Sequence, residues 1–201
     1  MNIPHTLEQQ LVSRRVVPFV GAGVSMAVRD RATGQPFFPS WRELLERAAA
    51  RLDKEQKAKY GNAVRGLLGL DKADEYLEAA KRAREGLGSS WYDFLKEHLN
   101  PPRHSIDDES LELARSIWGL GSQLVVTTNY DRVLHWACPQ HDDLSYWEIE
   151  APAEQVEALR RQTQRPVVWH LHGFIDNAAN LILTPGGYEL LYPEAEGARV
   201  K

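Results

Sequence analysis

The sequence predicts an α/β fold on a mostly parallel sheet, and three observations carry that reading. Short, nearly continuous apolar runs stand at residues 15–20 (RVVPFV), 124–127 (LVVT) and 166–169 (PVVW). Such runs suit strands buried on both faces better than strands with one wet side. Helical periodicity separates them, and strands alternating with helices build parallel sheets. Each run also ends in glycine or small polar residues, as strands do where a chain turns at the edge of a sheet.

Taken in order, the first run ends at Gly21-Ala22-Gly23, and a polar stretch, RDRATGQPFFP, follows. Ser40-Trp41-Arg42-Glu43 then reads as a capping box, with the Ser40 hydroxyl and the Glu43 carboxylate opening a helix. Trp41, Leu44, Leu45, Ala48, Ala49 and Leu52 form one apolar stripe on it,. Residues 55–70, 72–84, 90–99 and 109–118 continue the helical pattern, with Gly61, Gly86, Gly88 and Pro101-Pro102 as breakers between or within them,. The expectation is a helical insert over about 41–118 between the first two strands. Beyond 124–127 the sequence predicts a short helix carrying Val133, Leu134 and Ala137 and stopped by Pro139, a strand at 145–149 and a helix at 154–162,. The strand at 166–169 continues to Leu171, and 181–184 (LILT) is read as a further strand,.

Composition narrows the function. The chain has 201 residues, one domain's worth, and its 43% hydrophobic residues suffice for a core,. With 24 Lys and Arg against 28 Asp and Glu, the net charge of −4 lacks the basic surplus that phosphate backbones demand,. Direct nucleic-acid binding is therefore not expected. The single cysteine, Cys138, excludes an internal disulfide, and no four Cys/His ligands stand at zinc spacing,. Cys138 itself reads as a buried small residue. No stretch approaches a signal peptide's apolar segment or the ~18 apolar residues of a membrane span. A cytoplasmic protein with no membrane partner is the expectation.

Ligands of open parallel sheets bind beyond the carboxyl ends of the strands. Three such ends stand out: Gly21-Ala22-Gly23-Val24-Ser25, Thr127-Thr128-Asn129-Tyr130-Asp131 and His170-Leu171-His172-Gly173. A glycine pair lets a backbone approach a pyrophosphate, although a tight turn would use the same residues. Asn129 can position a water or a ribose hydroxyl and Asp131 can accept from a carboxamide, while Thr128 or Asn129 can equally cap the next helix. His172 has the imidazole of a base that works near neutrality. His170, deeper on the same face of an ideal strand, reads as structural. The six tryptophans read as core, and His141-Asp142-Asp143 as a loop with no metal,.

These three motifs, in this order, resemble the sirtuin superfamily, and most closely the sirtuin-like NAD hydrolase domains of bacterial antiphage defence proteins. The Ser40-Trp41 helix start and the Leu183-Thr184…Tyr188 segment resemble the same branch. The resemblance implies a Rossmann-like sheet that binds NAD, with the helical module inserted between the first and second motifs. It implies that Gly21, Ala22, Gly23 and Ser25 hold the pyrophosphate and that Thr128 and Asp131 also line the NAD site, Asp131 meeting the carboxamide. Asn129 then orients the attacking water and His172 is the base. Deacylase sirtuins carry a four-cysteine zinc module, so one cysteine speaks against a protein deacylase. The family's later strand with a glycine-serine loop has no counterpart before Lys201, and residues 194–201 read as the start of a helix. The chain is accordingly expected to be the N-terminal portion of a longer protein.

The expected function is hydrolysis of NAD to nicotinamide and ADP-ribose, without a metal, as an NAD-depleting effector in defence. Harmful activity of this kind calls for control through a homo-oligomer or a partner protein. The alternative is a module that binds NAD or ADP-ribose and hydrolyses nothing, with an NAD-dependent deacylase or an ADP-ribosyl transferase further off.

Overall fold

The computed structural model describes residues 4–13, 15–150 and 165–192. They fall into two compact units, one within Met1–Phe38 and Pro101–Phe174, the other within Pro39–Asn100 and Ile175–Lys201. In chain order the described helices are α1 (His5–Val12), α2 (Gly23–Met26), α3 (Trp41–Lys54), α4 (Ala58–Leu68), α5 (Ala73–Leu87), α6 (Ser90–Leu99), α7 (Glu112–Gly119), α8 (Val133–Ala137) and α9 (Pro185–Leu191). The expected helices at 154–162 and from 194 lie outside the described residues.

The first unit holds the sheet. Strands β1 (Phe19–Val20), β2 (Leu124–Thr127), β3 (Ser145–Glu148) and β4 (Val167–His170) lie in the order β1-β2-β4-β3, and every pair is parallel. The fold is thus α/β with a parallel sheet, consistent with a Rossmann-like arrangement. Val20 lies opposite Thr127, Thr127 opposite His170, and His170 opposite Glu148, so one row of residues marks the carboxyl edge of all four strands. One face of the sheet, through Val20, Val125 and Val168, packs against Trp118 of α7 and Leu134 of α8. The Trp118 indole N–H also donates to the Leu134 carbonyl at 2.9 Å, which satisfies its one donor inside the core,. Side chains alternate along a strand. The opposite set, Leu124, Val167 and Trp169, clusters with Trp147 of β3.

Three expectations about strands are corrected. The run 15–20 pairs only over Phe19–Val20, at the edge of the sheet, and Val17 and Phe19 are 52% and 67% exposed instead of buried on both faces. Pro18 supplies a carbonyl to Val126 but has no N–H to return, so the ladder stops there,. Residues 181–184 join no strand of the sheet. Their β-branched side chains favour the extended backbone seen at Thr184, but Pro185 then starts α9 at its first turn,. Strand β4 ends at His170 rather than Leu171, because a turn closed by Gly173 N–H on the His170 carbonyl begins there.

The second unit is helical. Ser40 and Glu43 form the capping box at the start of α3, with reciprocal bonds of 3.2 and 2.7 Å. Leu44, Leu45, Ala48, Ala49 and Leu52 are buried along it. Helices α3, α4 and α5 pack on one another, and α9 packs on α5. Gly61 and Gly86 lie inside α4 and α5. A Cβ on Gly86 would come within 2.6 Å of Leu52 and 2.8 Å of Tyr60, so this glycine marks a close helix crossing. Gly88 takes φ +58° and ends α5,. The helical pattern expected over 41–118 therefore divides, since α7 belongs with the sheet.

Candidate active site

The strand order brings the three motifs together. β1, β2 and β4 are neighbours, so Gly21, Thr128 and Leu171 each follow the same row of the register and their loops leave the sheet side by side. Strand β3, which carries no such motif, lies outside them.

Hydrogen bonds tie the first two motifs into one network. The Asn129 amide nitrogen donates to the Gly21 carbonyl at 3.0 Å and to Ser25 Oγ at 2.8 Å. A carbonyl can only accept, which settles which end of the Asn129 amide faces Gly21. Ser25 Oγ donates onward to Asp131 Oδ2 at 2.6 Å, and Asp131 Oδ1 accepts the Val133 N–H at 2.9 Å, at the start of α8. Thr127 Oγ1 donates to the Val20 carbonyl at 2.9 Å and accepts the Asn129 N–H at 3.0 Å. Ser25, Thr127, Asn129 and Asp131 are all buried. Burial pushes the Asp131 carboxyl above the ordinary carboxylate range, against the Ser25 hydroxyl and the Val133 N–H, which favour its charged form,. Capping and site geometry coincide here, since Asp131 does both.

Sequence reasoning thus placed Ser25, Asn129 and Asp131 in one region, but as separate ligand contacts. In the structure they contact one another. Both N–H groups of the Asn129 amide are engaged, which leaves Oδ1 as the atom to accept from a water. The single proton of Ser25 goes to Asp131, so a phosphate would meet that hydroxyl only after a change of partner.

The glycines behave differently. At Gly21 and at Gly23 an added Cβ would meet nothing within 4 Å, and neither takes a left-handed φ. Among the described residues, neither packing nor a left-handed backbone demands glycine there,. Residues Pro18, Phe19, Val20, Gly21, Ala22, Gly23 and Val24 border a cavity of about 520 Å³ with Leu113 and Ile117 of α7. Thr128 continues the ladder by donating its N–H to the Val20 carbonyl.

His172 stands in the turn after β4, and Gly173 follows with φ +90°. The turn, and not the strand alternation expected for it, aims this side chain. It is 7% exposed, with its ring 6.5 Å from that of Tyr130. Burial holds its imidazole below the ordinary value, so the ring is neutral near pH 7,. His170 is fully buried, its Nδ1 2.8 Å from the Asn129 carbonyl oxygen and its Nε2 3.0 Å from Nε2 of His135. His135 was not singled out from the sequence. It sits 35 residues from its partner, on a helix whose pattern marks it only as a residue between apolar ones.

Elsewhere, Cys138 is buried and its thiol is pushed up by burial. His141, Asp142 and Asp143 form an exposed turn of 3-10 helix.

Beyond the geometry, residues 123–200 match the family model described as SIR2-like domain. The match takes in β2, β4 and two of the three motifs, and begins after the Gly21–Gly23 turn and the helices α3 to α7. It supports a sirtuin-like chain, and since SIR2-like domains are often NAD-using enzymes, it points to an NAD-related function. No helix among the described residues is long and apolar enough to cross a membrane.

Proposed function

We propose that this chain is an NAD glycohydrolase, cleaving NAD and water to nicotinamide, ADP-ribose and a proton. The observation that carries the proposal is the convergence of the three motifs on adjacent parallel strands, with Asn129 fixed so that its carbonyl oxygen is left for a water. The match to the SIR2-like domain supports the choice of NAD as substrate.

In this reading the backbone at Gly21, Ala22 and Gly23, where no side chain intervenes, approaches the pyrophosphate of NAD, with Ser25 and Thr128 beside it. The remaining lone pairs of Asp131 accept from the carboxamide of the leaving group. The bond between C1′ of the ribose and the nicotinamide nitrogen breaks, and its electron pair leaves with the ring, which becomes neutral nicotinamide. Positive charge develops on the ribose, and a water whose proton points at Asn129 Oδ1 presents its oxygen to C1′. Neutral His172 takes the proton that this water loses. The groups contribute chiefly by orientation and by a positioned base.

The reaction is followed as free nicotinamide by chromatography after incubation with NAD and no peptide acceptor. The chain releases nicotinamide, and His172→Ala and Asn129→Ala lower the rate by about 10²- to 10⁴-fold. Stabilisation by NAD with no product from the parent chain would replace this reading with that of a binding module. Such an enzyme depletes the NAD of its cell, as a defence effector would, and control by self-assembly or a partner is part of the proposal. Mass measurement with and without NAD tests it: activity should follow the assembled form, and a fully active monomer would overturn that part.

A further inference from the structure

We propose that His135 and His170 form a pair of imidazoles, each locked in one tautomer, that positions Asn129 through its main chain; this rests on the assignment of Asn129 to the attacking water. The Asn129 carbonyl can only accept, so Nδ1 of His170, 2.8 Å away, carries a hydrogen,. In the proposed pair the His170 ring is neutral, so its Nε2 carries no hydrogen. The Nε2 atom of His135 that faces it at 3.0 Å must therefore carry a hydrogen and donate it,. The chain of donation runs from His135 to His170 to the Asn129 carbonyl. A further proton at Nε2 of His170 would face the His135 N–H unless His135 moved its hydrogen to Nδ1.

Aromatic rings surround the pair. The His135 ring stacks on Phe174 at 4.6 Å between centroids, with 5° between planes, and Phe174 also lies 4.5 Å from His170. Tyr146 of β3 flanks His135 at 5.8 Å and Phe174 at 4.8 Å. The Arg132 guanidinium, from the start of α8, lies over the Phe174 ring at 5.1 Å. Arg132, Tyr146 and His170 are charged or titratable groups placed around His135. Burial, with His170 and Arg132 adding to it, pushes His135 down to about 3. Asn129 is thereby pinned at three points: its N–H on Thr127, its carbonyl on His170, and its amide between Gly21 and Ser25. The pinned side-chain amide is what leaves Oδ1 aimed at a water, so losing the histidine anchor loosens the group that orients it. His135 and His170 are positioning residues, since neither reaches the reacting atoms in this scheme.

The test uses the full chain, His135→Phe and His135→Gln. Phenylalanine keeps a ring against Phe174 but donates nothing, whereas glutamine restores an N–H donor. Long-range proton–nitrogen NMR at neutral pH should report His170 with hydrogen on Nδ1 and His135 with hydrogen on Nε2. The Asn129 side-chain amide signal should move in His135→Phe and stay in His135→Gln. Nicotinamide release should fall about tenfold in kcat for His135→Phe with KM for NAD within about twofold, and recover in His135→Gln. A hydrogen on Nε2 of His170, or an Asn129 amide signal unmoved in His135→Phe, overturns the proposal. The NMR readouts need no substrate. A parent chain that releases no nicotinamide therefore removes the hydrolase reading and leaves the two signals to decide the positioning.

Discussion

Asn129 and Asp131 have structural tasks beside the chemical ones proposed for them, and His172 is the proposed base. Asp131 accepts the first free N–H of α8 and the Ser25 hydroxyl, and its burial raises the cost of its charge,. Asn129 links the Gly21 turn to Ser25. His172 is held below its ordinary value by burial, and in the proposed reaction the sign of that shift makes a pH prediction. The neutral ring is the base, so protonation inactivates it. Since the folded value is below the usual ~6.5, the acid limb of kcat/KM for NAD should centre below pH 6.5. A profile whose acid limb centres at 6.5 or above would show that His172 is not the group that titrates. The motifs made these three residues legible in the sequence. The bonds that join Asn129 and Asp131 through Ser25 were not legible, because Ser25 and Asp131 stand 106 residues apart and meet only when β1 and β2 pair.

At the scale of elements, the pattern of α3 could be read in full: its capping box and its apolar stripe both appear where the local sequence puts them. Glycines within helices were less legible, because the same residue serves opposite purposes. Gly86 sits where α5 crosses Leu52 and Tyr60, whereas Gly66 in α4 faces open space. Replacing a helical glycine by alanine ordinarily gains about 0.5–1 kcal/mol. Gly66→Ala should stabilise the protein by about that amount. Gly86→Ala should destabilise it by about 1–3 kcal/mol, because the Cβ would press on the root of the Tyr60 side chain, which cannot swing away,. Urea unfolding of the two variants checks both signs. The residues at 181–184 teach the same lesson for strands. β-branched composition selects an extended backbone, but a strand also needs a neighbour with free N–H and C=O groups, and composition carries no record of one.

For the whole molecule, three imidazoles, His172 buried and His98 and His135 half-buried, act together on stability. His98, His135 and His172 are each held below the ordinary histidine value, chiefly by burial. A group whose folded value is depressed leaves stability unchanged above its unfolded value of ~6.5. Below that pH the unfolded chain binds protons that the folded chain refuses, so stability falls with falling pH. The part of the urea-unfolding profile due to these imidazoles should be level above about pH 6.5 and weaken from there to pH 5, by up to ~1.4 kcal/mol per unit for each group that stays neutral, while Asp131, raised by burial, slopes the other way,. His135 stays neutral over that entire window, its value being about 3. The slope should accordingly be shallower in His135→Phe. An unchanged slope would mean that His135 takes up a proton in the folded protein, against its burial.

The sequence by itself determined the class of fold, the helices α3 to α6 and the residues that close three strands. Those features are written locally, in periodicity, capping residues and punctuation, and each needs only neighbours a few residues away. The tertiary structure alone decided that β4 lies next to β2, which sets His170 under Asn129, and that a turn at Leu171 and His172 aims the His172 side chain. It also decided that His135 faces His170 and that Ser25 joins Asn129 to Asp131. The order of strands in a sheet depends on which buried surfaces fit, a property of side chains far apart in the chain, and the network at the carboxyl edge follows from that order.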